Sequence, residues 1–169
     1  MTISMYEASA PIFVKMLGNT KVILEKAAAH AQAKKIDESA FLMARIFPDM
    51  LPFTSQVHIA TDFARGTCAR LSGAEPPAIE NDEKSIADLI ARVDRSIAYV
   101  KSLKPEQIDG SEGREIIRKV RGKDVKFTGL NYLRYFAMPN FYFHMSMIYA
   151  LLRAGGVDIG KLDFIGGVD

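Results

Sequence analysis

The sequence predicts an all-α domain, a four-helix bundle with one small β-hairpin between the third and fourth helices. Three observations support this fold class. Four long segments place apolar residues at helical spacing. One short segment alternates apolar and polar residues on either side of a turn, and the connecting segments contain proline, glycine or acidic residues. The 169 residues suit one domain with a substantial core, so we expect residues 1–169 to fold as a single helical bundle.

The bulk composition favours a soluble cytoplasmic protein. Hydrophobic residues make up 49% of the chain and charged residues 25%, which is ordinary for a globular domain. A net charge of +2 gives no indication of a nucleic-acid or membrane partner. No window holds 18 uninterrupted apolar residues, and the N-terminus lacks a signal-peptide pattern. Cys68 is the only cysteine, so no internal disulfide forms.

The first two long helices are read from apolar periodicity. The first is expected from about Ser4 to His30, with Pro11 ending or kinking its first turns. A short helix is expected after Asp37, and the second long helix from about Asp49 to Leu71. One face of this second helix is apolar, at steps of three and four residues: Phe53, Val57, Ala60, Ala64, Cys68 and Leu71.

The second half of the chain contains the other two helices and the hairpin. The third helix is expected from about Ser85 to Leu103. In residues 114–127 apolar and polar residues alternate on both sides of "RGKD", which predicts a small β-hairpin. The fourth helix begins near Thr128, whose hydroxyl is suited to the N-cap position. It ends at "RAGG", where Gly155 or Gly156 can adopt the left-handed conformation, and an ordered or semi-ordered tail follows.

The fourth helix is unusually aromatic, with seven of the chain's sixteen Phe and Tyr residues between positions 132 and 149. A helix that is apolar almost all round needs burial on every side. That burial comes either from its own bundle or from a second subunit, and we expect a homodimer.

Three polar or helix-breaking residues interrupt this apolar helix, in the stretch "AMPNFYFHMSMIYALLRAGG". Pro139 removes a backbone donor and leaves the Tyr135 carbonyl without its usual partner. Asn140 and His144 are four residues apart and share one side of the helix. They either form part of a site or satisfy one another and the kink within the core.

His58 and Asp62 are also four residues apart, on a polar stripe of the second helix. One interpretation is a solvated face with a weak contact between the two side chains. In the other, the stripe faces Asn140 and His144 across the bundle. Two histidines and a carboxylate would then converge, which is the ligand set of open catalytic metal sites.

Two further features are interpreted structurally. The hairpin carries six basic residues in thirteen, and we read it as solvated because the aromatic residues that could stack on bases lie in the fourth helix. Cys68 lies on the apolar face of the second helix and is interpreted as a small core residue.

Three segments resemble a bacterial domain-of-unknown-function family within the DinB-like (YfiT-like) superfamily of four-helix bundles. They are "MYEASAPIFVKML", "ARIFPDMLPFTSQVHIATDFARGTCARLSG" and "FTGLNYLRYFAMPNFYFHMSMIYALLRAGGVDIGKLDFIG". The resemblance spans nearly the whole chain. Its most specific part is "PNFYFH" followed by "GVDIGKLDFIG".

The resemblance implies both a fold and a site. DinB-like members typically hold a divalent metal on three histidines, one from helix two and a His-x3-His pair from helix four, and some are thiol-dependent transferases or isomerases. The matching positions here are His58, Asn140 and His144, so an asparagine stands where the family has a histidine. A carboxamide binds transition metals poorly. A metal such as Zn, Ni or Fe is then either held by His58, Asp62 and His144 or lost, and we expect loss or weak binding.

Three functions follow from these features. The first is a small-molecule-binding protein with a central pocket lined by His58, Asp62, Asn140 and His144. The second is a divalent-metal-dependent enzyme, such as a thiol transferase or a hydrolase, that uses His58, Asp62 and His144. The third is a structural homodimer without a ligand.

Overall fold

The computed structural model describes residues 3–167, and four long helices dominate it. In chain order the elements are α1 (Ala10–Lys34), α2 (Ser39–Leu42), α3 (Phe53–Ser72), α4 (Ile86–Ser102), α5 (Pro105–Ile108), β1 (Glu115–Val120), β2 (Lys123–Thr128), α6 (Gly129–Asn131), a π-helical segment (Tyr132–Ala137), α7 (Met138–Ala154) and α8 (Lys161–Ile165). The predicted bundle with a hairpin between its third and fourth long helices is confirmed.

The core lies between two pairs of long helices. Helix α1 packs mainly on α4, α3 packs mainly on α7, and α3 also contacts α4. Aromatic residues fill the centre, where Phe13 of α1 meets Phe141 of α7 edge to face with ring centroids 4.8 Å apart. The apolar face predicted for the second helix is buried along its whole length: Phe53, Val57, Ala60, Ala64, Cys68 and Leu71.

The hairpin follows directly from its sequence. Strands β1 and β2 pair antiparallel, with Glu115 opposite Thr128 and Val120 opposite Lys123. The two turn residues, Arg121 and Gly122, have φ values of 49° and 79°. Two left-handed residues in a two-residue turn match the twist of the strands.

Two helices begin later than their periodicity predicts, and a proline explains each difference. Helix α1 begins at Ala10 rather than Ser4, with Pro11 in its first turn. Helix α3 begins at Phe53 rather than near Asp49, because Pro52 is extended and occupies the N-cap. Proline suits the start of a helix, where the backbone donor that it lacks has no partner within the helix.

The last helix is continuous from Gly129 but not regular. The Thr128 hydroxyl accepts a hydrogen bond from the Asn131 amide (3.4 Å), as predicted for an N-cap. The chain then forms a π-helical turn before Pro139, a feature that was not predicted. A wider turn accommodates the missing backbone donor of the proline. At the other end Gly156, with φ of 87°, is the left-handed residue.

The C-terminal tail is ordered against α1. The Asn19 amide donates to the Phe164 carbonyl (3.0 Å), and Lys15 Nζ donates to the Gly167 carbonyl (3.1 Å). Lys26 and Asp163 form an ion pair of 2.6 Å. Helix α8 is therefore held along the outer side of α1.

The aromatic surface of the last helix is not fully buried within one chain. Tyr135 is 65% exposed and Phe143 is 53% exposed, so of the two predicted sources of burial, the chain's own bundle does not cover the last helix on every side. The homodimer stays a prediction. Among residues 3–167, no helix combines the length and apolar character needed to cross a membrane.

Gly129 provides a test of how the hairpin is attached to the bundle. A Cβ at this position would collide with the carbonyl oxygen of Ser111, which is backbone and cannot move aside. We expect Gly129→Ala to lower the free energy of unfolding by about 1–3 kcal/mol, measured by urea denaturation. The matched control is Gly113→Ala, because nothing lies within 4 Å of that position. Equal stability of the two variants would show that the close approach of Gly129 to the Ser111 carbonyl does not require a glycine.

Candidate functional site

A buried arginine is the centre of the polar cluster in this bundle. Arg92 of α4 is completely buried. Its Nε donates to Thr61 Oγ1 (2.8 Å), Nη1 donates to the Glu80 carbonyl (2.9 Å) and to Glu83 Oε1 (3.0 Å), and Nη2 donates to Asp62 Oδ1 (2.8 Å). The guanidinium thereby connects α3, α4 and the α3–α4 loop (residues 73–85).

A second buried arginine completes the charge balance. Arg65 of α3 donates to Asp62 Oδ1 and to the Pro77 carbonyl of the α3–α4 loop. We call Asp62, Arg65, Glu83 and Arg92 the arginine network. Burial is the largest single effect on Glu83 and would raise its pKa, but the hydrogen bond from Arg92, a backbone hydrogen bond and the charge of Arg92 together hold that pKa below its ordinary value. Two carboxylates then face two guanidiniums.

His58 lies beside this network and is buried, not solvated. Its Nε2 is 2.7 Å from Glu83 Oε2. Neither atom, however, has a hydrogen bond of acceptable geometry within residues 3–167, so they are close but poorly aligned. Burial, and then the charge of Arg92, lower the pKa of His58 more than Glu83 raises it. His58 is therefore neutral at neutral pH, which preserves the charge balance of the network.

His144 of α7 is buried, and it pairs with Gln56 instead of Asn140. Its Nδ1 lies 2.7 Å from Gln56 Oε1. The Gln56 amide is oriented by donation from Nε2 to the Leu51 carbonyl (3.0 Å), so Oε1 is the atom that accepts. The proton of neutral His144 is consequently on Nδ1, and Nε2 carries the lone pair. Burial lowers the pKa of His144.

The Asn140 side chain forms its hydrogen bond within its own helix. Its Nδ2 donates to the Phe136 carbonyl (2.6 Å), four residues earlier and within the π-helical segment. This is the structural role that the sequence offered as one alternative, although the carbonyl is that of Phe136 and not of Tyr135.

The residues predicted to hold a metal do not fit one. Asp62 binds two guanidiniums, His58 faces Glu83, and His144 is paired with Gln56. Within residues 3–167, no three His, Cys, Asp or Glu side chains group closely enough to hold a metal ion. The predicted convergence of His58, Asp62 and His144 is therefore not present in this arrangement.

A cavity of about 380 Å³ opens next to the arginine network, and we call it the α3 cavity. Helix α3, the α3–α4 loop, β1 and the π-helical segment surround it. Its apolar wall consists of Ile59, Phe63, Pro76, Pro77, Ala78 and Ile79. Its polar lining consists of Asp62, Arg70, Arg118 and Tyr132.

The α3 cavity differs from the pocket that the sequence predicted. Of the four predicted lining residues, only Asp62 borders this cavity, and His58, Asn140 and His144 do not. Phe63, which lines the cavity, also contacts His144. Its ring stacks on His144, with centroids 6.3 Å apart and planes 19° apart.

The described lining of the α3 cavity offers groups for binding, and the cysteine nearby in the core is not an activated nucleophile. Burial raises the pKa of Cys68 to about 12, so its thiol stays protonated and its interpretation as a core residue agrees with the structure. The lone pair on His144 Nε2 could accept a proton, but His144 does not line the cavity.

Sequence reasoning missed Gln56, Glu83, Arg92 and Arg118. The burial of Arg92 could have been predicted, because it follows Leu89 by three residues and so lies at the edge of the apolar stripe of α4. Glu83 gave no such indication, since it belongs to an acidic run in a loop. Arg118 was interpreted as part of a solvated hairpin, whereas its side chain is half-buried in the cavity wall.

Comparison with known proteins gives the family of this chain. The model of a domain of unknown function, DUF1993, matches residues 5–165. The chain belongs to the DUF1993 family. Comparison with curated proteins found no match.

The fold of this DUF1993 protein is similar to that of a DinB family member from Shewanella denitrificans, known from a crystal structure. The two chains are 32% identical, and the TM-score is 0.89. The match covers 96% of this chain and 92% of the other. The predicted placement in a domain-of-unknown-function family within the DinB-like superfamily is confirmed.

The arginine network can be tested by removing its centre. Arg92→Met leaves Glu83 buried without its guanidinium, so we expect a loss of about 3–5 kcal/mol in the free energy of unfolding, measured by urea denaturation. The control is Arg95→Met, because Arg95 is 54% exposed and lies 3.6 Å from the same carboxylate. We expect that control to lose less than about 1 kcal/mol. Similar losses in both variants would contradict a central role for Arg92.

The two buried histidines predict a direction of pH dependence. Burial lowers the pKa of both His58 and His144 below the ordinary value of 6.5. Below about pH 6.5 the unfolded chain therefore binds more protons than the folded chain, and stability falls as the pH falls towards the folded-state values. NMR titration should place both pKa values below 6.5, and His144→Gln should reduce the loss of stability on acidification. A titration of either histidine above 6.5 would contradict this.

Proposed function

We propose that this protein binds a small molecule in the α3 cavity and that it does not depend on a resident divalent metal. The observation that carries the proposal is the separate engagement of each candidate metal ligand. Asp62 is held by Arg65 and Arg92, His144 by Gln56, and Asn140 by the backbone of its own helix. The cavity next to them remains open for a ligand.

The cavity has the composition of a ligand site. A volume of about 380 Å³ lies in the range of small-molecule pockets, which are mostly apolar with a few converging polar groups. Here four apolar residues of the α3–α4 loop, from Pro76 to Ile79, line the cavity together with the aromatic rings of Phe63 and Tyr132. Two arginines supply the polar groups.

The arginine network supports the roof of this cavity. Arg65 binds the carbonyl of Pro77, and Arg92 binds the carbonyl of Glu80, so the two guanidiniums hold the loop on both sides of Ala78 and Ile79. Both of those residues line the cavity. In our proposal the buried charges keep the loop in place over the ligand.

The metal-dependent alternative requires a different arrangement of the same residues. Asp62 would have to leave two guanidiniums to join His58 and His144, and the two arginines would then be buried without that partner. Asp62 is half-exposed but both guanidiniums are buried, so leaving them without this carboxylate is unfavourable. A zinc site needs three or four protein ligands. For these reasons we favour binding without a resident metal.

The cavity assignment is tested by filling it. A fragment library of acids, amides, alcohols and thiols is screened by thermal shift, and hits are measured by isothermal titration calorimetry. We expect Ala78→Phe to weaken the hits at least about tenfold, because a phenyl group occupies part of the space. The control is Ala74→Phe, in the same loop but outside the lining of the cavity. Hits that both variants bind equally well, or a library without hits, would contradict the proposal.

The metal question is tested separately. We expect the protein, purified without a histidine tag and incubated with excess zinc or nickel, to hold much less than one metal ion per chain after dialysis, as measured by elemental analysis. One ion per chain that disappears in both His58→Ala and His144→Ala would support the metal-dependent alternative instead.

A further inference from the structure

We infer that the ligand of the α3 cavity is a small carboxylate with an apolar or aromatic body, and that Arg70 and Arg118 bind its carboxylate group. This inference rests on the proposed function and names the chemical class of its ligand. Both arginines line the cavity, and neither belongs to the arginine network.

Arg118 reaches the cavity from β1, on the hairpin. Its Nε atom is buried and has no hydrogen-bond partner within residues 3–167. Burial, and then repulsion by Arg70, lower the pKa of Arg118. Arg70 and Arg118 both line this cavity. Arg118 is thus a partly dehydrated cation with an unused donor.

Arg70 reaches the same cavity from α3. Its guanidinium lies against Gly66, where a Cβ would collide with Nη1. Its contact with the Tyr132 hydroxyl is long, at 3.4 Å from Nη1. A glycine one turn earlier therefore lets the side chain lie along the helix, with most of its donors free for a ligand.

The surrounding acids do not neutralise this pair. Within residues 3–167, no carboxylate oxygen lies within 4.0 Å of either guanidinium. Asp62 also lines the cavity, but Arg65 and Arg92 hold it. Glu75 attracts Arg118 only from a greater distance. Cations removed from water are normally paired, so the lining has a place for an anion from outside the chain.

The apolar and charged residues of the cavity lining together favour one chemical class of anion. Guanidinium groups bind carboxylates and phosphates through paired hydrogen bonds. The body of the ligand would contact Ile59, Phe63 and the two prolines, which suits an apolar group and gives no further polar partners. The nearby charges of Asp62 and Glu75 oppose a dianion more than a monoanion. A monocarboxylate fits these constraints better than a phosphate.

The test compares an acid with its neutral isostere. Phenylacetate, phenylacetamide and inorganic phosphate are titrated into the full chain at low ionic strength by isothermal titration calorimetry. We expect phenylacetate to bind at least about tenfold more tightly than phenylacetamide, the usual effect of losing a charge-assisted hydrogen bond. Phosphate should bind more weakly than phenylacetate, because it lacks the apolar group.

Variants show whether the two arginines are responsible. Arg70→Gln and Arg118→Gln should each weaken phenylacetate binding about tenfold while phenylacetamide binding is unchanged. The control is Arg134→Gln, which removes the same charge from an exposed arginine that lies over the Tyr135 ring. Circular dichroism and thermal unfolding confirm that each variant is folded.

The outcomes separate the two proposals. Equal affinity for the acid and the amide, or equal loss in the Arg134 variant, would overturn the inference and leave the small-molecule pocket in place. Tighter binding of phosphate than of phenylacetate would also overturn it. A failure of both ring compounds to bind, together with a fragment library without hits, would overturn the inference and the proposed function together.

Discussion

The completely buried guanidinium of Arg92 joins parts of the chain that would otherwise be independent. It connects α3 through Thr61 and Asp62, and it connects the α3–α4 loop through Glu80 and Glu83. An isolated charge in this position would cost several kcal/mol in lost hydration. Each nitrogen of the guanidinium therefore donates to an acceptor. Two of these acceptors belong to the α3–α4 loop, so the loop must pack over the bundle for all of these hydrogen bonds to form. The roof of the α3 cavity depends on this constraint.

The pairing of buried arginines also determines what the residues at the predicted metal site bind. The likeness to DinB-like proteins implied three histidines around a metal, and this chain has Asn140 at one of those positions. Asp62, which could have served as a replacement ligand, neutralises two arginines. His58 stays neutral beside Glu83. The polar centre of this bundle is thus organised by ion pairs, and binding is proposed for the cavity beside it.

Residue periodicity predicted the long helices, the hairpin and the buried face of α3, because these depend on local spacing. The candidate site was predicted less well. His144 was correctly placed on the inner side of the last helix, but its partner Gln56 is 88 residues away in the chain. Glu83 and Arg118 belong to a loop and a hairpin whose docking depends on tertiary contacts. A charge in such a segment looks solvated until its neighbours are known.

The π-helical segment determines which side chains share a face of the last helix. Tyr132 and His144 are twelve positions apart, and in a regular α-helix, at roughly 100° per residue, they would point about 120° away from each other. A wide turn takes up about one extra residue and removes roughly 100° of that difference. Both rings then point toward the same side, where Phe136 and Phe63 connect them. The rotational phase of the helix is set before Pro139. A regular α-helix with the same number of residues would turn the cavity wall and the histidine to different sides, whereas deletion of one residue there would keep both on the same side.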